Sequence, residues 1–340
     1  MLTLNQVSRR YGGSTALDGV DFVVPENTYM SLLGASGSGK TTLLRLIAGF
    51  EEPDQGTISF NGERIDGQPS HLRDIGFVFQ NFALFPHLTV SENVAFGLRH
   101  RAHAPVTNET EIKDRTEAAL ELVGLSGFGH RGVSAISGGQ RQRVALARTL
   151  VCEPKIVLLD EPLGALDANL RSRMCDELKA IRERLGVSFL HVTGSETEAL
   201  TMGDKVSVLA NGRIMQSDTP DNLFSHPVNA ESARHLNAWN ILDAELFDRD
   251  AARGLIAVRF DQIDVSPTGT VPADRPSLSA TYLTGEFNGP TALSFFRASD
   301  GTLLQVVDHL SQPRLPELVE GQTYDLHFAA DALRQFHGAA

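Results

Sequence analysis

The chain has 340 residues, a formal net charge of −12 at pH 7, 41% hydrophobic residues and 21% charged residues. This length suits two domains of about 100–200 residues each, and the composition is typical of soluble globular proteins. The acidic balance excludes a global basic field that would attract nucleic acid or anionic lipid, so we expect no nucleic-acid partner. The two cysteines, Cys152 and Cys175, argue against a disulfide framework and indicate a reducing compartment.

The N-terminal segment MLTLNQVSRRYGG lacks the apolar stretch of a secretory signal. No run approaches the roughly 18 apolar residues of a membrane span. We therefore expect a cytoplasmic protein that works at a membrane only by docking onto something that spans it.

Strand-like apolar runs recur along the first two thirds of the chain. They are VDFVV at 20–24, YMSLLGA at 29–35, DIGFVF at 74–79, KIVLLD at 155–160, VSFLHVT at 187–193 and KVSVLA at 205–210. Several lead into helix-like segments such as TTLLRLIAGF at 41–50, and this alternation predicts an α/β fold with a largely parallel sheet covered on both faces. Helical, polar segments at about 92–150 interrupt the pattern and predict an inserted helical subdomain.

The pattern changes after about residue 235. Short alternating runs such as LIAVRF, ATYLTGEF and TYDLHF are separated by Gly, Pro and Asp, which predicts a small β-barrel or sandwich. The boundary lies near 226–240, so we assign residues 1–235 to the first domain and 236–340 to the second.

Residues 34–42, GASGSGKTT, follow a strand and precede a helix, and they match the phosphate-loop pattern G-x-x-x-x-G-K-[ST]. Glycines let successive N–H groups face one centre, and the helix N-terminus adds positive potential. We expect Lys40 to contact the β- and γ-phosphates of a nucleoside triphosphate and the Thr41 hydroxyl to bind Mg²⁺. The candidate phosphate-binding residues are Gly34, Ala35, Ser36, Gly37, Ser38, Gly39, Lys40, Thr41 and Thr42.

The apolar run KIVLLD ends in two acids, Asp160 and Glu161, before a proline. A buried strand delivers them to the carboxyl edge of the sheet, where open α/β sheets bind ligands. Alone, such a pair is more often a solvated edge or a helix cap. Beside a phosphate loop, it predicts that Asp160 binds Mg²⁺ and that Glu161 polarises the attacking water.

Residues 134–148, SAISGGQRQRVALAR, contain ISGGQ followed by a basic helix. This segment resembles the LSGGQ signature of ATP-binding cassette (ABC) ATPases, with Ile136 as a departure. Residues Ser137, Gly138, Gly139 and Gln140 would open a helix whose N–H groups and dipole face an anion. The resemblance implies that they bind the γ-phosphate held by a partner subunit, in a head-to-tail dimer of two composite sites, which we expect to be a homodimer.

Further motifs extend the resemblance over residues 2–235 in unbroken order. Tyr11 stands where the family places an aromatic residue that stacks on adenine. Gln80, in FVFQN, resembles the Q-loop glutamine, which contributes to catalysis and senses Mg²⁺ and the attacking water. Asp167, in GALD at 164–167, resembles the D-loop residue at the dimer seam. The resemblance implies a P-loop NTPase fold, with a RecA-like core and an inserted helical subdomain, that uses ATP and Mg²⁺.

The resemblance also implies partners. The segment QNFALFPHLTVSENVAFGL at 80–98 lies where the family contacts its membrane subunits, although Phe82 and Phe85 are as readily core residues. The C-terminal part resembles the TOBE-type domain, a small OB-like barrel of importer ATPases, with Phe260 and Asp261 in place of Pro and Glu in its Arg-Pro-Glu element. The layout is similar to the ATPase of a bacterial type I importer of polyamines, ferric iron or a similar solute. Such an ATPase works on the inner face of the membrane with two permease subunits and, indirectly, a solute-binding protein.

One motif departs from the family. FLHVTGSETEAL at 189–200 aligns with a pattern whose histidine contacts the γ-phosphate, and Gly194 falls at that switch position. His191 is an unlikely substitute because residues three apart on a strand face opposite sides. We therefore expect a working but altered ATPase, and the alternative is a hydrolysis-impaired regulatory subunit.

Overall fold

The computed structural model describes residues 1–101, 105–164, 166–247, 254–271, 275–311 and 316–336. The chain divides into two units, Met1–Ser225 and His226–Ala340. This division falls before the boundary that we placed after residue 235, because the short helix at Ala230–Arg234 contacts the first strand of the second unit.

The first unit alternates strands and helices. Its strands are β1 (Leu2–Tyr11), β2 (Ser14–Val24), β3 (Tyr29–Leu33), β4 (Gln55–Phe60), β5 (Glu63–Arg64), β6 (Ile75–Val78), β7 (Ile156–Asp160), β8 (Ser188–Thr193), β9 (Lys205–Ala210) and β10 (Arg213–Asp218). Its helices are α1 (Lys40–Ala48), α2 (Val90–His100), α3 (Glu109–Leu122), α4 (Gly138–Leu150), α5 (Ala168–Leu185), α6 (Glu196–Met202) and α7 (Pro220–Ser225).

The central sheet has the strand order β10-β9-β3-β8-β7-β6. Strands β9, β3, β8, β7 and β6 are parallel to their neighbours, and β10 is antiparallel to β9. Along β7 and β8, Leu158 and Leu190 pack in the cluster that contains Leu43 of α1, whereas Val157 and Phe189 pack in the cluster of the helical side. The prediction of a largely parallel sheet covered on both faces is confirmed.

One predicted strand lies elsewhere. VDFVV at 20–24 belongs to β2, in a separate antiparallel sheet of order β2-β1-β4-β5. A two-residue turn at Gly12 and Gly13 separates β1 from β2, and a connection this short allows only antiparallel pairing.

The helical segment after β6 consists of α2, α3 and α4, which contact one another. Its apolar core includes Val94, Leu98, Leu120 and Leu146. α2 begins with a capping box, in which the Thr89 side chain and Glu92 satisfy each other's backbone N–H groups.

The second unit is rich in β-structure. It contains α8 (Ala230–Arg234), β11 (Trp239–Asp243), β12 (Leu255–Arg259), β13 (Ile263–Pro267), β14 (Ser277–Asn288), β15 (Thr291–Ala298), β16 (Leu303–His309), β17 (Thr323–Phe328) and β18 (Arg334–Phe336). These strands form sheets of order β11-β12-β18 and β13-β17-β14-β15-β16 around a core that includes Leu242, Phe296 and Phe328.

Candidate functional site

Three neighbouring parallel strands bring the predicted motifs to one edge of the central sheet. The register pairs Leu33 of β3 with Thr193 of β8, and Val192 of β8 with Asp160 of β7. The phosphate loop, the turn at Gly194 and the carboxylate pair therefore follow adjacent strand ends.

The phosphate loop owes its path to its glycines. A Cβ atom at Gly34 would lie 2.4 Å from the Leu209 carbonyl oxygen, and one at Gly39 would lie 2.5 Å from the Ala16 carbonyl oxygen. Gly39 also has φ 107°, and Gly37 has φ 81°, a region that side chains with a Cβ rarely adopt. Larger residues at 34 and 39 would displace backbone, so this path requires glycine.

Lys40 lies in the first turn of α1 and is 5% exposed. Its Nζ donates to the carbonyl oxygens of Gly34 at 2.8 Å and Ala35 at 2.9 Å, and lies 3.8 Å from Glu161 Oε1. Burial lowers the pKa of Lys40, while the Glu161 and Asp160 carboxylates oppose that shift. The Lys40 ammonium is thus held at the loop by two neutral carbonyl oxygens. An anion bound there would give it a charged hydrogen-bond partner, which forms a stronger bond.

Thr41 and Asp160 bring two side-chain oxygen atoms together at the end of β7. The Thr41 hydroxyl donates to Asp160 Oδ1 at 3.2 Å, and Asp160 is 9% exposed at the end of β7. Burial raises the pKa of the Asp160 carboxyl. The described residues contain no group of three or more His, Cys, Asp or Glu side chains placed for a metal. One hydroxyl and one carboxylate fit Mg²⁺, which keeps several waters and takes further ligands from phosphates.

Glu161 and Gln80 meet beside this pair. Gln80 Nε2 donates to Glu161 Oε2 at 3.2 Å. The backbone of Glu161 has φ 45°, and its N–H donates to the Val192 carbonyl at 3.0 Å. Residues held in sparsely populated backbone regions cluster at functional sites, and here β8 fixes the turn that presents the carboxylate.

The signature segment opens α4 as predicted. Ser137 is the N-cap, its hydroxyl accepts from Gln140 N at 3.3 Å, and Gln140 Oε1 accepts from Ser137 N at 2.9 Å. A Cβ at Gly138 would meet nothing within 4 Å, whereas one at Gly139 would lie 3.2 Å from Leu170. In the part of the chain that the structure describes, no hydrogen bond joins this segment to the phosphate loop. One chain therefore leaves the helix N-terminus apart from its own loop.

Asp167 and Tyr11 occupy the ends of other elements. Asp167 caps α5, and its carboxylate accepts from Leu170 N at 2.9 Å; Ala165, in the same GALD motif, lies outside the described residues. Tyr11 ends β1 and is 43% exposed, with the Arg9 guanidinium 5.0 Å from its ring centroid and its hydroxyl bonded to Glu51. An exposed ring of this kind leaves a face for stacking.

The turn at Gly194 borders the phosphate loop. A Cβ there would meet only the Gly34 carbonyl oxygen, at 3.8 Å. Ser195 N donates to Thr193 Oγ1 at 3.0 Å, and Ser195 Oγ accepts from Glu198 N at 3.3 Å. Both polar groups of Ser195 are thus bonded within the turn, while position 194 has room for a side chain.

His191 is a core residue of β8. It is fully buried, its Nδ1 lies 3.3 Å from the Tyr29 hydroxyl, and burial lowers its pKa to about 3. It is therefore a neutral histidine buried in a central strand of the sheet.

Sequence reasoning missed the buried polar residues behind this turn. Glu198, 5% exposed, accepts from Thr193 Oγ1 at 2.7 Å and lies 3.3 Å from Arg171 Nε. The available signal was the position of Glu198 at the end of the switch pattern, five residues after Thr193. Its partner Arg171 lies on a distant segment, so spacing alone could not identify the pair.

Among the described residues, no helix is long and apolar enough to cross a membrane. A family model described as "ABC transporter" matches residues 17–164. That range contains the phosphate loop, the signature segment and both carboxylates, but not Gly194.

Relatives with named functions match a longer stretch of the chain. The chain is 44% identical over 289 residues to the spermidine/putrescine import ATP-binding protein PotA of Spiroplasma citri, covering 79% of this chain and 81% of that protein. It is 46% identical over 274 residues to the PotA protein of Rubrobacter xylanophilus, with coverage of 79% and 71%. For PotA 1 of Pseudomonas aeruginosa, the identity is 43% over 258 residues, with coverage of 75% and 70%.

Solved structures match the fold. The dimeric ATP-binding cassette MJ0796, in a post-hydrolysis state bound to ADP and Pi, gives a TM-score of 0.58 at 30% identity, covering 65% of this chain and 99% of that one. The cbiO1 protein of Clostridium perfringens, part of the cbiONQ ABC transporter complex, gives 0.61 at 31% identity, with coverage of 66% and 90%.

Proposed function

The chain belongs to the family of ABC transporter ATP-binding proteins, and on this premise we propose that it is the ATP-hydrolysing subunit of a spermidine/putrescine importer. The observation that carries the proposal is the meeting of Lys40, Glu161 and Gln80 at one edge of the sheet. The names of three relatives at 43–46% identity support the polyamine as solute.

Each site residue has a role that its surroundings support. The loop N–H groups and Lys40 would hold the β- and γ-phosphates, and Tyr11 would stack on adenine. Thr41, Asp160 and Gln80 would hold Mg²⁺, which when bound neutralises developing charge on the phosphate oxygens. Glu161 would orient the attacking water and take its proton, with Gln80 keeping the carboxylate in place.

The signature segment supports a dimer. Its capped helix start leaves open space at Gly138, where a Cβ would meet nothing within 4 Å, and an anion is favoured at a helix N-terminus. We propose that Ser137–Gln140 of each subunit bind the γ-phosphate held by the other, with Asp167 at the seam. ATP would then favour the closed homodimer because only that state surrounds the γ-phosphate.

Two permease subunits would receive this motion through residues 80–98 and the inserted subdomain at about 92–150. In this segment the rings of Phe85 and Phe96 lie 4.5 Å apart, and Phe96 is partly exposed. Arg148 of α4 donates to the carbonyls of Phe82 at 2.8 Å and Ala83 at 2.7 Å. This segment is thereby tied to the signature helix. We propose that the protein works on the inner face of the membrane and is linked indirectly, through the permease subunits, to a solute-binding protein.

We propose that residues 236–340, within the second unit, form a TOBE-like domain, and a charged pair lies in the segment that resembles the importer element. Arg259 Nε donates to Asp261 Oδ1 at 2.9 Å. Asp261, at the position of the family's Glu, thus still pairs with the preceding arginine.

Gly194 favours a second candidate, a regulatory subunit that binds ATP and hydrolyses it slowly. Losing one preorganised donor to a transition-state charge costs about 10²–10³ in rate. Against that, Lys40, Gln80, Asp160 and Glu161 are all present; Lys40 and Gln80 both contact Glu161, and Asp160 accepts from Thr41. We therefore propose that this chain itself hydrolyses ATP.

The test is to identify the permease and solute-binding subunits that copurify with the full chain, to coexpress them with it, and to measure ATP-dependent uptake into vesicles. We expect uptake of labelled spermidine or putrescine, with phosphate release, and loss of both in Glu161→Gln. Uptake of ferric iron in place of polyamine would overturn the assignment of polyamine as the transported solute. Polyamine uptake that persists in Glu161→Gln would overturn the role of the chain as the hydrolysing subunit.

A further inference from the structure

A cluster of polar side chains, all buried except the partly exposed Arg171, lies behind the turn at Gly194 and is not part of the proposed chemistry. We call Tyr29, Arg171, His191, Thr193 and Glu198 the switch-support cluster. Its hub is Glu198, whose carboxylate faces Thr193 Oγ1 at 2.7 Å, Arg171 Nε at 3.3 Å and His191 Nε2 at 3.7 Å. Burying a carboxylate costs free energy unless it is paired and hydrogen-bonded. These contacts offset that cost, and the presence of a carboxylate at this buried position calls for a functional reason.

Through its partners, Glu198 reaches the segments that form the site. Thr193 Oγ1, which donates to Glu198, also accepts from Ser195 N at 3.0 Å and so closes the turn around Gly194. Arg171 Nη2 donates to the Leu166 carbonyl at 3.0 Å, in the GALD segment that leads to Asp167. One carboxylate therefore joins the Gly194 turn to the D-loop.

The third segment is the end of β7, where Asp160 is followed by Glu161. The Glu161 N–H donates to the Val192 carbonyl, next to Thr193. A displacement of the strand end at 192–193 would thus move the backbone of Glu161. Tyr29 and His191, which lie behind Glu198, are fully buried, and the Tyr29 hydroxyl lies 3.3 Å from His191 Nδ1.

The turn needs these supporting contacts because residue 194 is a glycine. A glycine turn has more conformational freedom than any other, and its geometry depends on neighbouring contacts. Gly194 has no side chain to contact the loop, and a Cβ there would find its nearest atom 3.8 Å away. The bonds from Thr193, Ser195 and Glu198 are what hold the turn beside Gly34.

We propose that Glu198 is a positioning residue for hydrolysis, which holds the Gly194 turn, the D-loop and the backbone of Glu161 in one arrangement through Thr193 and Arg171. It touches no reacting atom. This inference rests on the proposed ATPase function. Its failure and the failure of that function are distinguishable, because wild-type turnover is measured first.

The test is steady-state ATP hydrolysis by the full chain, with kcat and KM determined separately. In Glu198→Gln the carboxylate charge that pairs with Arg171 is lost, and in Thr193→Val the hydroxyl at the turn is lost at nearly constant volume. We expect each to lower kcat about tenfold while the KM for ATP stays within twofold, because the phosphate loop is untouched. Thr193→Val gives the answer if Glu198→Gln does not fold.

The discriminating variant is Gly194→Ala in the Glu198→Gln background. Alanine fits position 194 sterically and restricts the turn. We therefore expect the double variant to have a kcat at least threefold higher than that of Glu198→Gln alone. The matched control is Asp66→Asn, which removes another carboxylate bonded to an arginine and a backbone N–H, those of Arg64 and Ile58, just after β5 and outside the proposed site. We expect its kcat to equal that of the wild type.

The inference is overturned if wild-type protein hydrolyses ATP and both single variants keep kcat within twofold of it. It is also overturned if kcat falls but Gly194→Ala restores nothing, because Glu198 would then act otherwise than by holding the turn. A wild type without turnover would instead contradict the proposed function.

Discussion

Two glycines that lie side by side at the site edge owe their presence to different causes. Gly34 is enclosed, since a Cβ there would lie 2.4 Å from the Leu209 carbonyl oxygen, whereas a Cβ at Gly194 would meet nothing closer than 3.8 Å. Packing therefore dictates glycine at position 34 and leaves position 194 free to accept a larger residue. The absence of a switch side chain at 194 is a property of the sequence that the fold does not demand.

The difference separates binding from hydrolysis. The enclosed glycine shapes the loop that would hold phosphates, so a change there alters affinity. The open glycine borders that loop without shaping it, so a change there would alter the rate of the chemical step. The variants below test this separation, in descending order of expected effect.

Gly34→Ala should weaken ATP binding about tenfold to a hundredfold, because overpacking costs roughly 1–3 kcal/mol and 1.4 kcal/mol is a factor of ten. Fluorescence titration with a labelled ATP analogue measures the effect. Gly67→Ala is the control, since a Cβ there meets nothing within 4 Å. Unchanged affinity in Gly34→Ala would show that the loop is not as tightly enclosed as described.

Gly194→His should raise kcat about tenfold while leaving ATP affinity within about twofold, because a donor would be restored toward the γ-phosphate without a change in the loop. Phosphate release under saturating ATP is the measurement. A fall in kcat, or a large change in affinity, would mean that the open space at 194 is used in some other way.

Ser137→Ala should weaken ATP-dependent dimerisation about fivefold. The loss of an N-cap hydroxyl costs about 1 kcal/mol, and here that hydroxyl fixes the helix start proposed to bind the partner's nucleotide. Analytical ultracentrifugation in the Glu161→Gln background, where hydrolysis is blocked, checks the value. If the dimer affinity stays equal, the signature helix start does not contribute to the seam.

His191→Gln should flatten the acid dependence of stability by on the order of 1 kcal/mol per pH unit between pH 6.5 and 5. Burial lowers the pKa of His191 to about 3, so in that window the unfolded chain binds a proton that the folded chain does not. Stability is thus lost as pH falls, and the variant lacks this loss. Urea unfolding at several pH values measures it, and equal slopes would contradict the neutral, buried imidazole.

Local patterns predicted much of this molecule. The runs at 155–160 and 187–193 predicted β7 and β8 within one residue, and the loop at 34–42 follows β3 and continues into the first turn of α1, as expected. Ser137 begins α4 because its capping box is local in sequence. These features depend on neighbours within a few residues, which a sequence displays directly.

Features set by distant contacts could not be predicted. VDFVV at 20–24 pairs in a separate sheet because a short turn, not apolar content, decides its partner. The pairing of Arg171 with Glu198 spans two elements, and the enclosure of Gly34 by Leu209 comes from a strand far along the chain. Pattern and spacing carry no record of these approaches.

The most direct test of the account is single-turnover ATP hydrolysis by the wild type beside Glu161→Gln and Gly194→His. The account predicts that the wild type hydrolyses ATP at least about a hundredfold faster than Glu161→Gln, since Glu161 is proposed as the general base. A wild type as slow as Glu161→Gln, with turnover restored by Gly194→His, would contradict it.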